Sequence, residues 1–394
     1  MVPKGWMLLQ VSDICKLQNG NSFKPHEWDT KGLPIIRIQN LNGSGNYNYF
    51  SGVPQDKWLV EPGQLLFSWA GTKGVSFGPF IWNGPKGVLN QHIYKVFANE
   101  NVHEHWLYLA LLHITQKIEA QAHGFKSTLL HVQKKDIDNQ FVLTPPVAEQ
   151  KKISQILSTW NKAISVTEKL LANSQQQKKA LIQQLITGKK RLLDENGVRF
   201  SGEWCTCTLS EVAHIIMGSS PKSEAYNDNG LGLPLIQGNA DIKCRVSCPR
   251  VYTSDITKEC TPGDILLSVR APVGTVALSQ HKACIGRGIS AIKSKRKMSQ
   301  SFLYQWFLWF EPKWCYLSQG STFESINSDD IKTLKLSVPN FEEQQKIAAV
   351  LSAADTEIST LEKKLACLKN EKKALMQQLL TGKRRVKVDE AVAV

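Results

Sequence analysis

The stretch KKALIQQLITGKKR at 178–191 returns as KKALMQQLLTGKRR at 372–385. Extended backwards without a gap, the match pairs Glu149-Gln150 with Glu343-Gln344, Ile153 with Ile347, Leu157 with Leu351 and Ile164 with Ile358, at a constant offset of 194 residues. A repeat of this length constrains the fold before any other feature does, because it implies a duplicated architecture. Two similar surfaces related by a pseudo-two-fold axis suit a two-part, roughly symmetric target.

The repeated blocks read as helices. In the second, Ile347, Leu351, Ala354, Ile358, Leu361, Leu365, Leu368, Lys372, Leu375 and Leu379 alternate four and three apart, the heptad seam of a coiled coil. The first keeps the register more loosely through Ile153, Leu157, Trp160, Ile164, Thr167, Leu171, Ser174, Lys178, Leu181 and Leu185. Asn340 with Glu343 three residues on reads as a capping box, and Pro145-Pro146 precedes the first helix. Gly188 and Gly382 stand where a helix needs a C-terminal glycine. About 38 residues at 1.5 Å each make a rod of roughly 55–60 Å.

The segments ahead of the helices repeat more faintly. Trp6 and Asn19-Gly20 correspond to Trp204 and Met217-Gly218, and Leu33-Pro34 to Leu233-Pro234. EPGQLLFS at 61–68 corresponds to TPGDILLS at 261–268, Asn90–Ile93 to Gly286–Ile289, and Ser127-Thr128 to Ser321-Thr322. These are short apolar strands with Pro-Gly and Asn-Gly turns, plus helices expected at 104–119 and 300–317. Between the anchors the halves differ almost completely, as two binding domains of different specificity would. The expected organisation is α+β: two similar mixed α/β domains at 1–145 and 192–338, joined by two long antiparallel coiled-coil helices at 146–191 and 339–394.

A net charge of +14 and a pI near 9.3 favour a polyanionic partner. Half of that excess lies in 146–192, with nine basic residues against two acidic, which favours a place for the first helix near phosphates or an acidic partner. No apolar stretch approaches a membrane span and no apolar leader opens the chain, so a soluble, cytoplasmic protein is expected. The nine cysteines show no paired metal-ligand spacing. No G-x-G-x-x-G, G-x-x-x-x-G-K-[ST] or His-Glu-x-x-His motif is present, nor is an Asn-Pro-Pro-aromatic or Asp-Pro-Pro-aromatic tetrapeptide that would hold a target base. Neither cofactor nor catalysis is expected of this chain.

Taken together, the helix entries PPVAEQKKI (145–153) and PNFEEQQKI (339–347), the exits LITGKKR (185–191) and LLTGKRR (379–385), and the stretches FSGEW (200–204), PGDILLS (262–268) and GSTFESI (320–326) are specific. With them the chain resembles, over essentially its whole length, the specificity (S, HsdS-type) subunits of type I restriction–modification enzymes. The resemblance implies two target recognition domains, each reading half of an interrupted double-stranded DNA sequence. It implies two partner modification subunits that bind S-adenosylmethionine and methylate adenine, and motor-nuclease restriction subunits. A stand-alone bipartite DNA-binding protein with a coiled-coil spacer is the alternative. The turn EPGQLLFSWAGTKG (61–74) departs from TPGDILLSVRAPVG (261–274), which leaves the 69–74 loop open.

Base readout in the major groove uses Arg, Lys, Asn and Gln on projecting loops, while phosphate contacts supply register and affinity. Candidates at matching places in the two frames are Arg37, Gln39, Asn40, Lys73, Gln91 and His92, then Gln237, Asn239, Arg270 and Arg287. Lys24, Lys126 and Lys222 are candidate phosphate contacts. For each, a structural role at a strand end or turn is the alternative, above all for Gln91 and Arg287.

Overall fold

The computed structural model describes residues 2–121, 129–314 and 325–388. They fall into two compact units, one of Met1–Thr167 with Lys364–Val394 and the other of Glu168–Lys363. Each unit holds one globular domain, the first half of one long helix and the last half of the other.

Helix α2 runs Val147–Leu185 and helix α4 runs Phe341–Leu380. Helix α1 (Glu104–Gln121) and helix α3 (Gln300–Phe310) belong to the first and second domains. The heptad reading holds along α4, where Leu361, Leu365, Leu368 and Lys372 are half-buried between exposed neighbours. In the first unit Ile153 and Leu157 of α2 share a core with Met376 and Leu379 of α4. In the second, Leu181 and Leu185 share one with Ile347 and Leu351. In both units the start of one helix lies with the end of the other, so the pairing is antiparallel. Helix α3 stops earlier than its sequence pattern suggests. Pro312 has no N–H to continue the helical bonding, and a short 3-10 turn, Glu311–Lys313, replaces the last helical turn; 315–317 lie outside the described residues.

The repeated helix ends are explained by two matching clamps. Arg191, just past α2, donates from Nε and Nη2 to the two carboxylate oxygens of Glu343 at 2.6 and 2.7 Å, and from Nη2 to the Gly202 carbonyl. Arg385, just past α4, does the same to Glu149 and also donates to the Lys4 carbonyl. The guanidinium of Arg191 lies 5.9 Å from the Trp204 ring, and that of Arg385 5.6 Å from Trp6. The next residue repeats too. Gln150 accepts the N–H of His103 and donates to Pro145 and Asn101; Gln344 accepts the N–H of Ser299 and donates to Pro339 and Lys297. Each Glu-Gln pair thus ties its helix to an arginine and to the start of the domain helix. The capping box expected at Asn340 forms only in part: Asn340 accepts the Glu343 N–H, but the Glu343 carboxylate turns to Arg191. The glycines end the helices as expected, at φ +69° for Gly188 and +67° for Gly382.

Each domain is closed by an antiparallel pair at its base, Met7–Gln10 with Phe141–Thr144 and Cys205–Thr208 with Lys335–Val338. Each domain also has two larger sheets, and the first adds the pair Ala70–Thr72 with Leu129–His131. In the first domain, Cys15–Asn19, Ile93–Ala98, Leu65–Ser68 and Gly78–Ile81 neighbour one another in that order. In the other sheet, Leu33–Ile36 runs parallel to Gly87–Leu89. The second domain repeats both arrangements with Ala213–Met217, Ile289–Ser294, Ile265–Ser268 and Val276–Leu278, and with Leu233–Ile236 parallel to Ala283–Ile285. The apolar faces of α1 (Trp106, Leu107, Leu111) and α3 (Phe302, Leu303, Phe307) are fully buried. Among the described residues no helix is long and apolar enough to cross a membrane.

Candidate nucleic-acid interface

The two domains hold their loops with the same backbone bonds. Asn90 N–H donates to the Ile36 carbonyl as Gly286 N–H does to Ile236, and Asn21 to Leu89 as Ser219 to Ile285. Trp69 donates to His92 and Val132 to Trp69; Val269 donates to Gly288 and Ile326 to Val269. The approach is tight at one repeated glycine. A Cβ on Gly20 would lie 2.3 Å from the Asn90 oxygen, and one on Gly218 would lie 2.1 Å from that of Gly286. This scaffold gathers the loops beyond each parallel strand pair at one end of the domain.

The scaffold is common but what it carries differs. In the first domain the Arg37 guanidinium stacks over Trp28 at 5.1 Å, and Trp28 donates from its ring to the Phe23 carbonyl. In the second, Gln237 donates to the Tyr226 hydroxyl at 2.8 Å, and that hydroxyl donates to the Pro221 carbonyl. Trp28 and Tyr226 each lie four residues after a candidate lysine, Lys24 or Lys222, and hold matching places; neither carries a charge that would mark it in the sequence. Arg37 Nε is buried without a partner, and Gln237 is exposed.

A second contrast lies beside it. In the first domain Trp69 is flanked edge-on by His92 (5.1 Å) and His131 (4.7 Å). The same frame positions in the second domain hold Val269, Gly288 and Ser325. Burial, and then the nearby His131, push the His92 imidazole below its ordinary pKa, so near pH 7 it is neutral, with one donor and one acceptor nitrogen. Trp69 and His131 went unnoticed in the sequence because 62 residues separate them. Their meeting depends on the pairing of Ala70–Thr72 with Leu129–His131.

The remaining candidates divide by what their side chains do. Arg37 follows Leu33–Ile36, and Gln91 and His92 follow shortly after its parallel neighbour Gly87–Leu89; Gln237 and Arg287 stand likewise after Leu233–Ile236 and Ala283–Ile285, and Arg270 follows Val269, which bonds Gly288. Arg270 and Arg287 are exposed, and Asn239 is half-buried at the start of a 3-10 turn. Lys24 and Lys222 are exposed on the flanking loops. Gln39 is exposed and donates to the Asn46 carbonyl. Asn40 is 4% exposed and its side chain is used up within the loop: it accepts the Arg37 N–H and donates to the Ser44 and Asn46 carbonyls. Asp241 plays the same part for Gln237. The Lys73 ammonium donates to the Glu119 carbonyl at 2.6 Å, which ties its loop to the end of α1. Lys126 lies outside the described residues.

A family model described as the type I restriction modification DNA specificity domain matches the chain twice, at 3–173 and at 201–370. The chain is 32% identical to a protein of Methanocaldococcus jannaschii named as the MjaX type I restriction enzyme specificity subunit, over 98% of this chain and 95% of that one. It is 25% identical to the MjaVIII specificity subunit of the same organism, over 98% and 94%. Two solved structures share the fold. One, from work on complex assembly and conformational transition of the type I R-M system, has a TM-score of 0.64 at 23% identity, covering 96% of this chain and 98% of that one. The S subunit from M. genitalium has a TM-score of 0.60 at 16% identity, covering 96% of each.

Proposed function

Because the chain belongs to the family of type I restriction–modification specificity subunits, we propose that it reads an interrupted sequence in double-stranded DNA, one half with each domain. In this reading it scaffolds two adenine-methylating modification subunits and the restriction subunits, works in the cytoplasm, and performs no chemistry itself. The observation that carries the proposal is the doubled scaffold with unlike contents. A fixed frame sets register on the duplex while loop side chains choose bases.

The side chains assigned to base edges are Arg37, Gln39, Gln91 and His92 in domain 1–145, and Gln237, Asn239, Arg270 and Arg287 in domain 192–338. Lys24, Lys126 and Lys222 are assigned to phosphates, where each contact contributes salt-dependent affinity. Asn40 and Lys73 are assigned to holding the loops that carry the readers.

Methylome sequencing tests the proposal. Cells carrying this chain with its modification subunits should show one bipartite methylated motif. Grafting a different first domain onto it should replace one half of that motif and leave the other intact. A change in both halves overturns modular reading. Methyl transfer by the pure chain, proven free of other subunits, overturns the non-catalytic role.

A further inference from the structure

The duplication lets each position be judged against its own twin. In the second unit Lys178 of α2 donates to Asp355 of α4 at 2.5 Å, and the other oxygen of Asp355 accepts from Gln305 of α3 at 2.9 Å. The Lys178 side chain is only 16% exposed, and the Asp355 carboxylate that pairs with it stays 41% exposed to water. The offset of 194 carries Lys178 to Lys372 and Asp355 back to Asn161. In the domain helices the matching bonds of His103 and Ser299 fix an offset of 196, which carries Gln305 back to Leu109. The first unit therefore keeps the lysine and lacks both the acid that accepts from it and, at the position matching Gln305, the amide that donates to that acid.

Lys372 is half-buried, and that burial holds its pKa below the ordinary lysine value. Among the described residues nothing accepts a hydrogen bond from its ammonium. It lines an open notch of about 300 Å³ whose apolar walls are Leu112, Ile164 and Met376, with the amides of Gln116 and Asn161 beside them and Lys369 and Lys373 at the rim. An ammonium partly withdrawn from water without a counter-charge is disfavoured, and the twin shows which group relieves that cost: a carboxylate. Apolar walls point to a carboxylate delivered by a folded protein, whose own hydrocarbon covers them. A hydrated phosphate strand offers those walls nothing.

We propose that this notch receives an aspartate or glutamate side chain of a modification subunit. The proposal rests on the assembly reading above and adds an asymmetry to it. In the second unit the chain fills the position with its own Asp355, so the site exists once per chain although the frame exists twice. Of two modification subunits, one attaches through a charge contact that the other lacks.

The chain is coexpressed with its modification subunits, and their attachment is followed by native mass spectrometry and by titration over a range of salt. Lys372→Gln removes the charge. Asn161→Asp supplies the acid internally and should also raise the Tm of the free chain. Both should weaken one of the two attachments roughly ten-fold or more and flatten its salt dependence, leaving the other attachment unchanged. Equal attachment in wild type and both variants overturns the proposal and makes Lys372 a solvated seam residue. Loss of DNA affinity with attachment intact also overturns it, assigning the lysines to phosphate. A wild-type chain that holds no modification subunit fails the assembly reading itself, which the variants alone cannot do.

Discussion

Glu343 has no exposed side-chain surface, and its charge is balanced by one guanidinium; Glu149 sits in the matching clamp at 10% exposure. Breaking a buried pair by removing one partner strands the other charge, at about 3–5 kcal/mol. Arg191→Ala should therefore cost about that much, and Arg385→Ala less, because Glu149 is nearer water and keeps the ring N–H of Trp6 as a donor. Denaturant unfolding of the two variants checks the order; equal and negligible losses would show that the clamps are ornamental. Asn40 shows where residue type misleads. An amide in a projecting loop looks like a base reader, yet this one is buried and engaged with backbone atoms of its own loop. Its fate depends on how residues 41–46 fold back, which no single-residue property reveals.

The helices were legible because their cause is local and periodic. A seam recurring every three and four residues, with a glycine just past its last turn, specifies a helix whatever surrounds it. The domain interiors were legible only as anchors, since the parallel pairing of Leu33–Ile36 with Gly87–Leu89 joins segments some 50 residues apart. Side-chain meetings such as Trp69 with His131 depend on such pairings and could not be read in advance. Burial grades the seam and yields a prediction. Leu351 is fully buried whereas Leu361 is half-buried. Leu351→Ala should cost about 2–5 kcal/mol, and Leu361→Ala clearly less, because the removed atoms leave a partly solvated gap. Thermal unfolding of both variants tests this; a larger loss at Leu361 would mean that the middle of the helix pair carries the stability.

Helix α2 is continuous for 39 residues, so its length is a candidate ruler for the gap between half-targets. Four residues inserted between Leu171 and Lys178 add about 6 Å of helix and turn the seam only about 40° beyond a full turn. The expected result is a methylated motif with both halves kept and the gap lengthened by one or two base pairs, at about 3.4 Å each. An unchanged gap with full activity would mean that other subunits set the spacing.

The clamp on Glu149 also has a consequence in time. The first domain is synthesised first, yet its core includes Met376 and Leu379, and its clamp closes on Arg385, a contact spanning 236 residues. The second domain waits only for Glu343 and Arg191, 152 residues apart, both made earlier than Arg385. At about 5–20 residues per second, a ribosome leaves the first domain incomplete for roughly ten to fifty seconds after its own last strand emerges. During that interval Ile153 and Leu157 lack part of the core they are built for. The domain made first is thus finished last, its core open on one side until the final helix arrives.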